Sequence, residues 1–195
     1  MTVRERPSID VKVKCKTSGE EKELTKGGCL TRNDTYAIEL TPRTSAYVYI
    51  YHLDTRGNAT PLYPSAQFAR SVNPVEPGRL YRVPHFGRWL CLDESRGTEQ
   101  IVVVAKKGEV KDPLKLCMAA LEDGNEMLAS SGRIQKAVGK ERAATRSLQG
   151  IRPDRPVAES KSPNPEKQPP PAPPADEAKI DMKTIFVWKL PFEHL

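Results

Sequence analysis

Residues 35–64 read TYAIELTPRTSAYVYIYHLDTRGNATPLYP, and this stretch decides the fold class of the 195-residue chain. Its centre, 46–53, is rich in aromatic and β-branched residues, which fit a pleated, buried surface. Gly57 and Asn58 then tolerate the positive φ that a tight reversal needs, so 59–63 is predicted to return as the partner strand. Alternation puts tyrosines on one face of the central run and aliphatic residues with a histidine on the other. Because neither face is plainly polar, we predict a central strand covered on both sides.

Strand patterns also lie on either side of this hairpin. Residues 10–16 alternate Val or Cys with charged residues, which is typical of a half-buried antiparallel strand. Its lysines predict a sheet edge, because a row of charges discourages further pairing. Residues 18–21 are predicted to turn the chain, and 24–34, with two adjacent glycines, to form a connection. Short apolar runs bounded by turn residues predict further strands at 80–83, 89–92 and 100–105.

The pattern becomes helical after the last of these strands. Asp112 suits an N-cap and Pro113 suits the first helical position. Apolar residues at helical spacing then predict one amphipathic helix over 113–130. A second, basic helix is predicted over 131–149.

A Pro-rich segment, 152–178, follows the helices and predicts an extended linker, because its composition cannot bury a core. Beyond it, 184–190 is apolar and predicts a strand that Pro191 ends and that returns to the main sheet. The predicted organisation is a β-sandwich core over 1–111, a helical insert over 112–150, a Pro-rich disordered linker over 151–178 and a C-terminal strand over 179–195 that rejoins the sandwich.

Composition sets broad limits on the class of protein. A hydrophobic content of 37% and 18 prolines predict that part of the chain is unpacked. The net charge of +6 permits attraction to nucleic acid, anionic lipid or acidic proteins without specifying one. No apolar run approaches the roughly 20 residues that span a bilayer. The start lacks an apolar signal core, so we expect a cytoplasmic protein as written, or the soluble part of an exported or envelope protein.

Four cysteines, Cys15, Cys29, Cys91 and Cys117, form no C-x-x-C pair and have no histidine at ligand spacing. We therefore predict no zinc or other metal site and no cofactor. An even count keeps disulfides open, but single thiols buried in strands and a helix are favoured.

Candidate catalytic groups are few. His52 and His85 are the best available bases, and Cys91 with His85 would form a thiol-imidazole pair if the fold brought them together. The position of His52 at a strand centre favours a structural imidazole. Cys91 lies between two leucines in a predicted strand, which favours an inert thiol. We predict no catalytic residue and no enzyme activity.

Binding has better support, from two stretches that combine aromatic and basic residues in loops. These are the long excursion 65–78 and the segment 85–89. The alternative is that their aromatic residues cap the ends of the core. The candidate partner-binding residues are Phe68, Arg70, His85, Phe86, Arg88 and Trp89.

Two other modes of binding remain open. The basic stretch 133–146 has cations that suit phosphates, but it lacks the aromatic residues that stack on bases. A solvated surface is therefore favoured there. The Pro-rich segment suits an aromatic-lined groove of another protein, although its composition also suits a simple tether.

The order of signals from 24 to 116 resembles the bacterial family of domain of unknown function 4384. The residues that carry the resemblance are Asn33-Asp34, the run 46–51 with Asp54 and Gly57, 61–64, Asn73-Pro74-Val75 with Gly78, 81–84, and 97–99 leading into 101–105. The resemblance implies a small β-sandwich that occurs beside caspase-like peptidases or protein kinases, often in envelope or secreted proteins. It implies no catalytic residues, and the helical insert and Pro-rich linker depart from the family's pattern.

The fold expected is a mainly β, antiparallel immunoglobulin-like β-sandwich with one or two inserted helices. The function expected is a non-catalytic binding or regulatory accessory module for a protein partner. The resemblance implies a place at the bacterial cell envelope or in a secretion or signalling system. The alternatives are a carbohydrate- or peptide-ligand-binding module and weak nucleic-acid association through the basic helix.

Overall fold

A computed structural model describes residues 6–69, 72–122, 148–153 and 182–195, the range 148–153 by its backbone alone. Within these ranges the chain is mainly β. The strands are β1 (Ile9–Thr17), β2 (Glu20–Glu23), β3 (Cys29–Leu30), β4 (Thr35–Pro42), β5 (Tyr47–Leu53), β6 (Ala59–Tyr63), β7 (Tyr81–Val83), β8 (Arg88–Leu92), β9 (Gly97–Lys106), β10 (Leu148–Pro153) and β11 (Phe186–His194). The helix α1 spans Pro113–Glu122, and a short 3-10 helix spans Met182–Thr184.

The strands form two sheets. One has the order β10-β8-β4-β1-β2, with β7 paired to β4, and the other has the order β3-β11-β9-β5-β6. The paired strands are antiparallel except for β3 with β11, which are parallel. Buried residues of both sheets belong to one apolar core. Among the described residues, none of the helical segments has the length and hydropathy that crossing a bilayer requires.

The hairpin of β5 and β6 forms as predicted, and β5 lies between β9 and β6. Val48 and Ile50 belong to the core that the two sheets share. Tyr49 and Tyr51 pack instead in a second buried cluster with residues of α1, including Leu121. The prediction of a central strand covered on both faces is therefore confirmed.

The edge position predicted for β1 is wrong, because β2 pairs with its second half. The reason is charge: Lys14 lies opposite Glu23 and Lys16 lies opposite Glu21, and opposite charges on facing positions favour pairing. The four exposed residues of β2 form the outer strand of this sheet. The predicted turn at 18–21 is correspondingly shorter.

The C-terminal strand joins the sheet as expected, but Pro191 does not end it. β11 pairs with β9 along its full length and continues to His194. The carbonyl of Pro191 accepts a hydrogen bond from Gly27 N at 2.9 Å. The N–H and C=O of one residue in a strand point toward the same neighbouring strand. Pro191 therefore lacks its N–H on the side of β3, which pairs only with residues 193 and 194. The stretch predicted as a connection, 24–34, thus contains the short strand β3.

The region after the internal strands differs most from expectation. Asp112 caps α1, since its Oδ1 accepts from Lys115 N at 2.9 Å, as predicted. The predicted second helix and the linker, however, overlap β10, which pairs with β8 at the sheet edge. Residues 123–147 and 154–181, which hold most of both predictions, lie outside the described ranges. Gly and Pro in the β10 sequence weaken its strand signal, although an edge position tolerates a terminal proline.

Candidate functional site

The β7–β8 turn, residues 84–87, presents the most exposed aromatic side chain of the described chain. Arg88 N donates to His85 O at 3.2 Å, and Gly87 takes a φ of +81° that a glycine adopts without strain. Phe86 stands within this turn with 64% of its surface exposed. His85 N also donates to Phe68 O at 3.3 Å, which ties the turn to the excursion 65–78.

Arg82 contacts the β7–β8 turn through its guanidinium group. Its Nη1 donates to Arg88 O at 2.9 Å. Its guanidinium carbon lies 5.7 Å from the ring centroid of Phe86 and 4.6 Å from that of Trp89. Its Nε lies 3.6 Å from Glu39 Oε1, and its side chain is largely buried. Arg82 therefore holds the turn through a planar, charged group that stacks and donates at once.

The six predicted binding residues fall into three groups. His85, Phe86 and Arg88 are exposed at the turn. Phe68 and Trp89 are each 3% exposed; Phe68 belongs to the core that the two sheets share, whereas Trp89 lies outside that core. Arg70 lies outside the described residues.

Trp89 lies in β8, within the strand predicted at 89–92. Alternation places it on the face of β8 opposite Leu90 and Leu92, which belong to the shared core. Its ring lies between Lys16 Nζ, at 4.7 Å from the centroid, and the guanidinium of Arg82. Within the described part of the chain, its Nε1 has no hydrogen-bond partner.

None of the four cysteines forms a disulfide. Cys15, Cys91 and Cys117 are buried as predicted, whereas Cys29 is exposed in β3, contrary to prediction. Burial raises the pKa of Cys117 to about 12. Burial, as the largest cause, also raises the pKa of Cys15. His85 is exposed in the turn while Cys91 is buried in β8.

A buried polar group, here termed the Glu99 cluster, lies within the core and consists of Tyr36, His52, Glu99 and His194. His52 Nε2 lies 2.6 Å from Glu99 Oε2, and the Tyr36 hydroxyl lies 3.3 Å from His52 Nδ1. His194 Nδ1 lies 3.2 Å from Glu99 Oε1. His52, Glu99 and His194 are at most 1% exposed. Asp93, on the connection between β8 and β9, offers a carboxylate oxygen within 4.8 Å of ligand atoms on Glu99 and His194.

Strand alternation explains how these side chains come to point inward. His52 shares its face of β5 with Val48 and Ile50, and the corresponding faces of β9 and β11 carry Glu99 and His194. In register, Glu99 lies opposite Phe192, so the two histidines sit diagonally on either side of it. His52 is buried at the strand centre, and its structural role stays a prediction. Glu99 and His194 were missed, although their inward parity was a usable signal.

The comparison with protein families found a match to the central part of the chain. Residues 30–108 match the family model described as a domain of unknown function (DUF4384). Over this segment, which is less than half of the chain, the sequence is similar to the DUF4384 family. The DUF4384 segment includes the β7–β8 turn, His52, Asp93 and Glu99, whereas β1, β10, β11 and the helix lie outside it. No curated protein and no solved structure gives a significant match to the chain.

Proposed function

We propose that this protein is a non-catalytic binding module that recognises a protein partner through the β7–β8 turn. The observation that carries the proposal is Phe86, whose ring is 64% exposed yet held by a buried arginine. Leaving a large apolar ring in water forgoes the free energy that its burial in a partner would supply. A turn that is already ordered loses little conformational freedom when it binds.

The composition of the turn indicates the kind of surface it fits. Aromatic residues and arginine are enriched in the residues that dominate protein–protein binding energy. Phe86 is flanked by the exposed His85 and Arg88. The proposed partner therefore offers an apolar recess for the ring with acidic groups at its rim, which steer association and set orientation.

The proposal also covers the fold that carries the β7–β8 turn. Two sheets that contribute to one apolar core support a β-sandwich of immunoglobulin-like character. In such folds the sheets are rigid and the connections carry recognition. The resemblance to the DUF4384 family supports an accessory role at the cell envelope or in a secretion or signalling system.

The test is site-specific photo-crosslinking in the native host. A benzoylphenylalanine at position 86 is expected to give a discrete protein adduct, and the same group at the exposed Lys22 of β2 serves as the matched control. The Arg88→Glu change is expected to reduce the adduct, because it reverses the charge beside the ring. Equal labelling from both positions, or none from position 86, refutes the proposal.

The second candidate is a carbohydrate- or peptide-ligand module, favoured by the same exposed ring, since an aromatic face also stacks on a sugar. Glycan and peptide binding that Phe86→Ala abolishes, in the absence of a protein adduct, would select it. Nucleic-acid association rests on 133–146, outside the described residues. It predicts a mobility shift at low salt that falls steeply as salt is added.

A further inference from the structure

We propose that Asp93, Glu99 and His194 bind a divalent transition-metal ion of the zinc class. The three residues lie in different parts of the sequence, and the fold brings one ligand atom from each to within 4.8 Å of the others. Imidazole nitrogen and carboxylate oxygen are the donors that suit Zn²⁺ and its neighbours in the first transition row. The spacing rules for cysteine and histidine, which predicted no metal site, do not cover a set assembled in this way.

His194 supplies an independent reason to expect a ligand. Its side chain is 1% exposed, and its Nε2 has no hydrogen-bond partner among the described residues. A buried polar atom without a partner costs free energy that a bound ion would recover. The other ring nitrogen, Nδ1, lies 3.2 Å from Glu99 Oε1. Glu99 Oε1 retains a further lone pair for an ion, and Nε2 of His194 stays open.

His52 acts as a positioning residue for Glu99. A carboxylate only accepts hydrogen bonds, so His52 Nε2 donates to Glu99 Oε2 at 2.6 Å. Its other ring nitrogen, Nδ1, lies 3.3 Å from the Tyr36 hydroxyl, which holds the imidazole in place. This pair orients Glu99 from the side away from His194 and leaves Oε1 for the site.

Electrostatics favours a cation at this position. Asp93 and Glu99 place two carboxylates close together, and Glu99 is fully buried. Two nearby negative charges repel, and a buried charge requires a compensating one. Asp93 accepts from Ser95 N and Oγ, but a carboxylate retains further lone pairs for an ion. Because Asp93 is only half-buried, it offers the ion a route from solvent.

The site would have a structural consequence. Asp93 follows β8, Glu99 belongs to β9, and His194 is the last residue of β11. An ion at this point joins the C-terminal strand to the DUF4384 segment, 95 positions from Glu99. Metal binding would therefore stabilise the docking of β11, because the ligands converge only when that strand is in place.

The test uses metal-free protein and Zn²⁺ alone, measured by isothermal titration calorimetry. The exposed Cys29, which pairs with Glu193 of β11, is first changed to serine so that its thiol does not bind zinc adventitiously. We expect one Zn²⁺ per chain. Asp93→Asn and His194→Gln are each expected to weaken binding at least about tenfold, a loss typical even of outer-shell partners. His85→Gln, the matched histidine control at the exposed turn, is expected to leave binding unchanged.

A second measurement keeps the proposal falsifiable if His194→Gln does not fold. Asp93→Asn retains an oxygen that accepts from Ser95 N, so it perturbs the local structure least. Co²⁺ bound to the Cys29→Ser protein is expected to show visible ligand-field bands without a thiolate charge-transfer band. No stoichiometric Zn²⁺ binding, binding unaffected by Asp93→Asn, or a thiolate band would overturn the assignment.

Discussion

Phe192→Ala tests whether the C-terminal strand is an integral part of the core. Phe192 is 1% exposed, and its ring centroid lies 6.1 Å from that of Tyr36 and 6.2 Å from that of His52. A buried phenylalanine removes on the order of 150 Å² from water, or about 4 kcal/mol at roughly 25 cal/mol per Å². Measured Phe→Ala losses in cores span about 3–5 kcal/mol. We expect about 3 kcal/mol, because the polar Glu99 cluster allows water to enter the cavity.

The assay is equilibrium unfolding in urea, followed by tryptophan fluorescence with a chelator present so that no metal contributes. The free energy of unfolding in water is obtained by linear extrapolation. Leu195→Ala is the control, because that side chain is 56% exposed and its loss should change stability by less than about 0.5 kcal/mol. A loss below about 1 kcal/mol for Phe192→Ala would refute the packing described for β11.

Three further predictions concern thiols, alkaline pH and backbone strain. Under native conditions a thiol reagent should label Cys29 rapidly and the three buried thiols only after unfolding, as counted by mass spectrometry. Burial raises the pKa of Cys117 from 9.0, and that of Tyr63 from 10.0, to about 12, so the folded state holds protons that the unfolded chain releases. Stability from these groups is therefore complete below about pH 9 and falls as pH rises toward 12, which urea unfolding at several pH values would detect. Gly97→Ala should destabilise by more than about 1 kcal/mol, since φ is +131° and a Cβ would lie 2.8 Å from a threonine methyl, whereas Gly108→Ala meets nothing within 4 Å and should be near neutral.

Local patterns predicted the central elements of this protein well. Propensity, alternation and turn chemistry predicted the hairpin around Tyr47–Leu53, the strands near 80–105 and the capped start of α1. Each of these signals comes from residues that are close together in the sequence. Such signals are local, so one sequence suffices to read them. The edge predicted for β1 failed because its pairing depends on charges in a strand that the pattern did not reveal.

The same difference between local signals and long-range pairing applies to the candidate sites. The sequence identified the exposed turn at 85–88 because aromatic and basic residues are adjacent there. Trp89 lies in the predicted strand 89–92, but only the sheet order showed that Lys16 and Arg82 contact its ring. No periodicity indicated that Glu99 and His194 would lie in contact, because local sequence patterns do not show which distant strands become neighbours.

By itself, the amino-acid sequence determined that the chain is mainly β and that Tyr47–Leu53 is enclosed on both faces. Only the tertiary structure decided the neighbours of each strand, the continuation of β11 through Pro191, and the convergence of His52, Glu99 and His194. The physical reason is that side chains along a strand alternate between its two faces, so their direction follows from the local sequence. Which inward groups touch depends instead on sheet order and register, which are settled by the packing of the whole core.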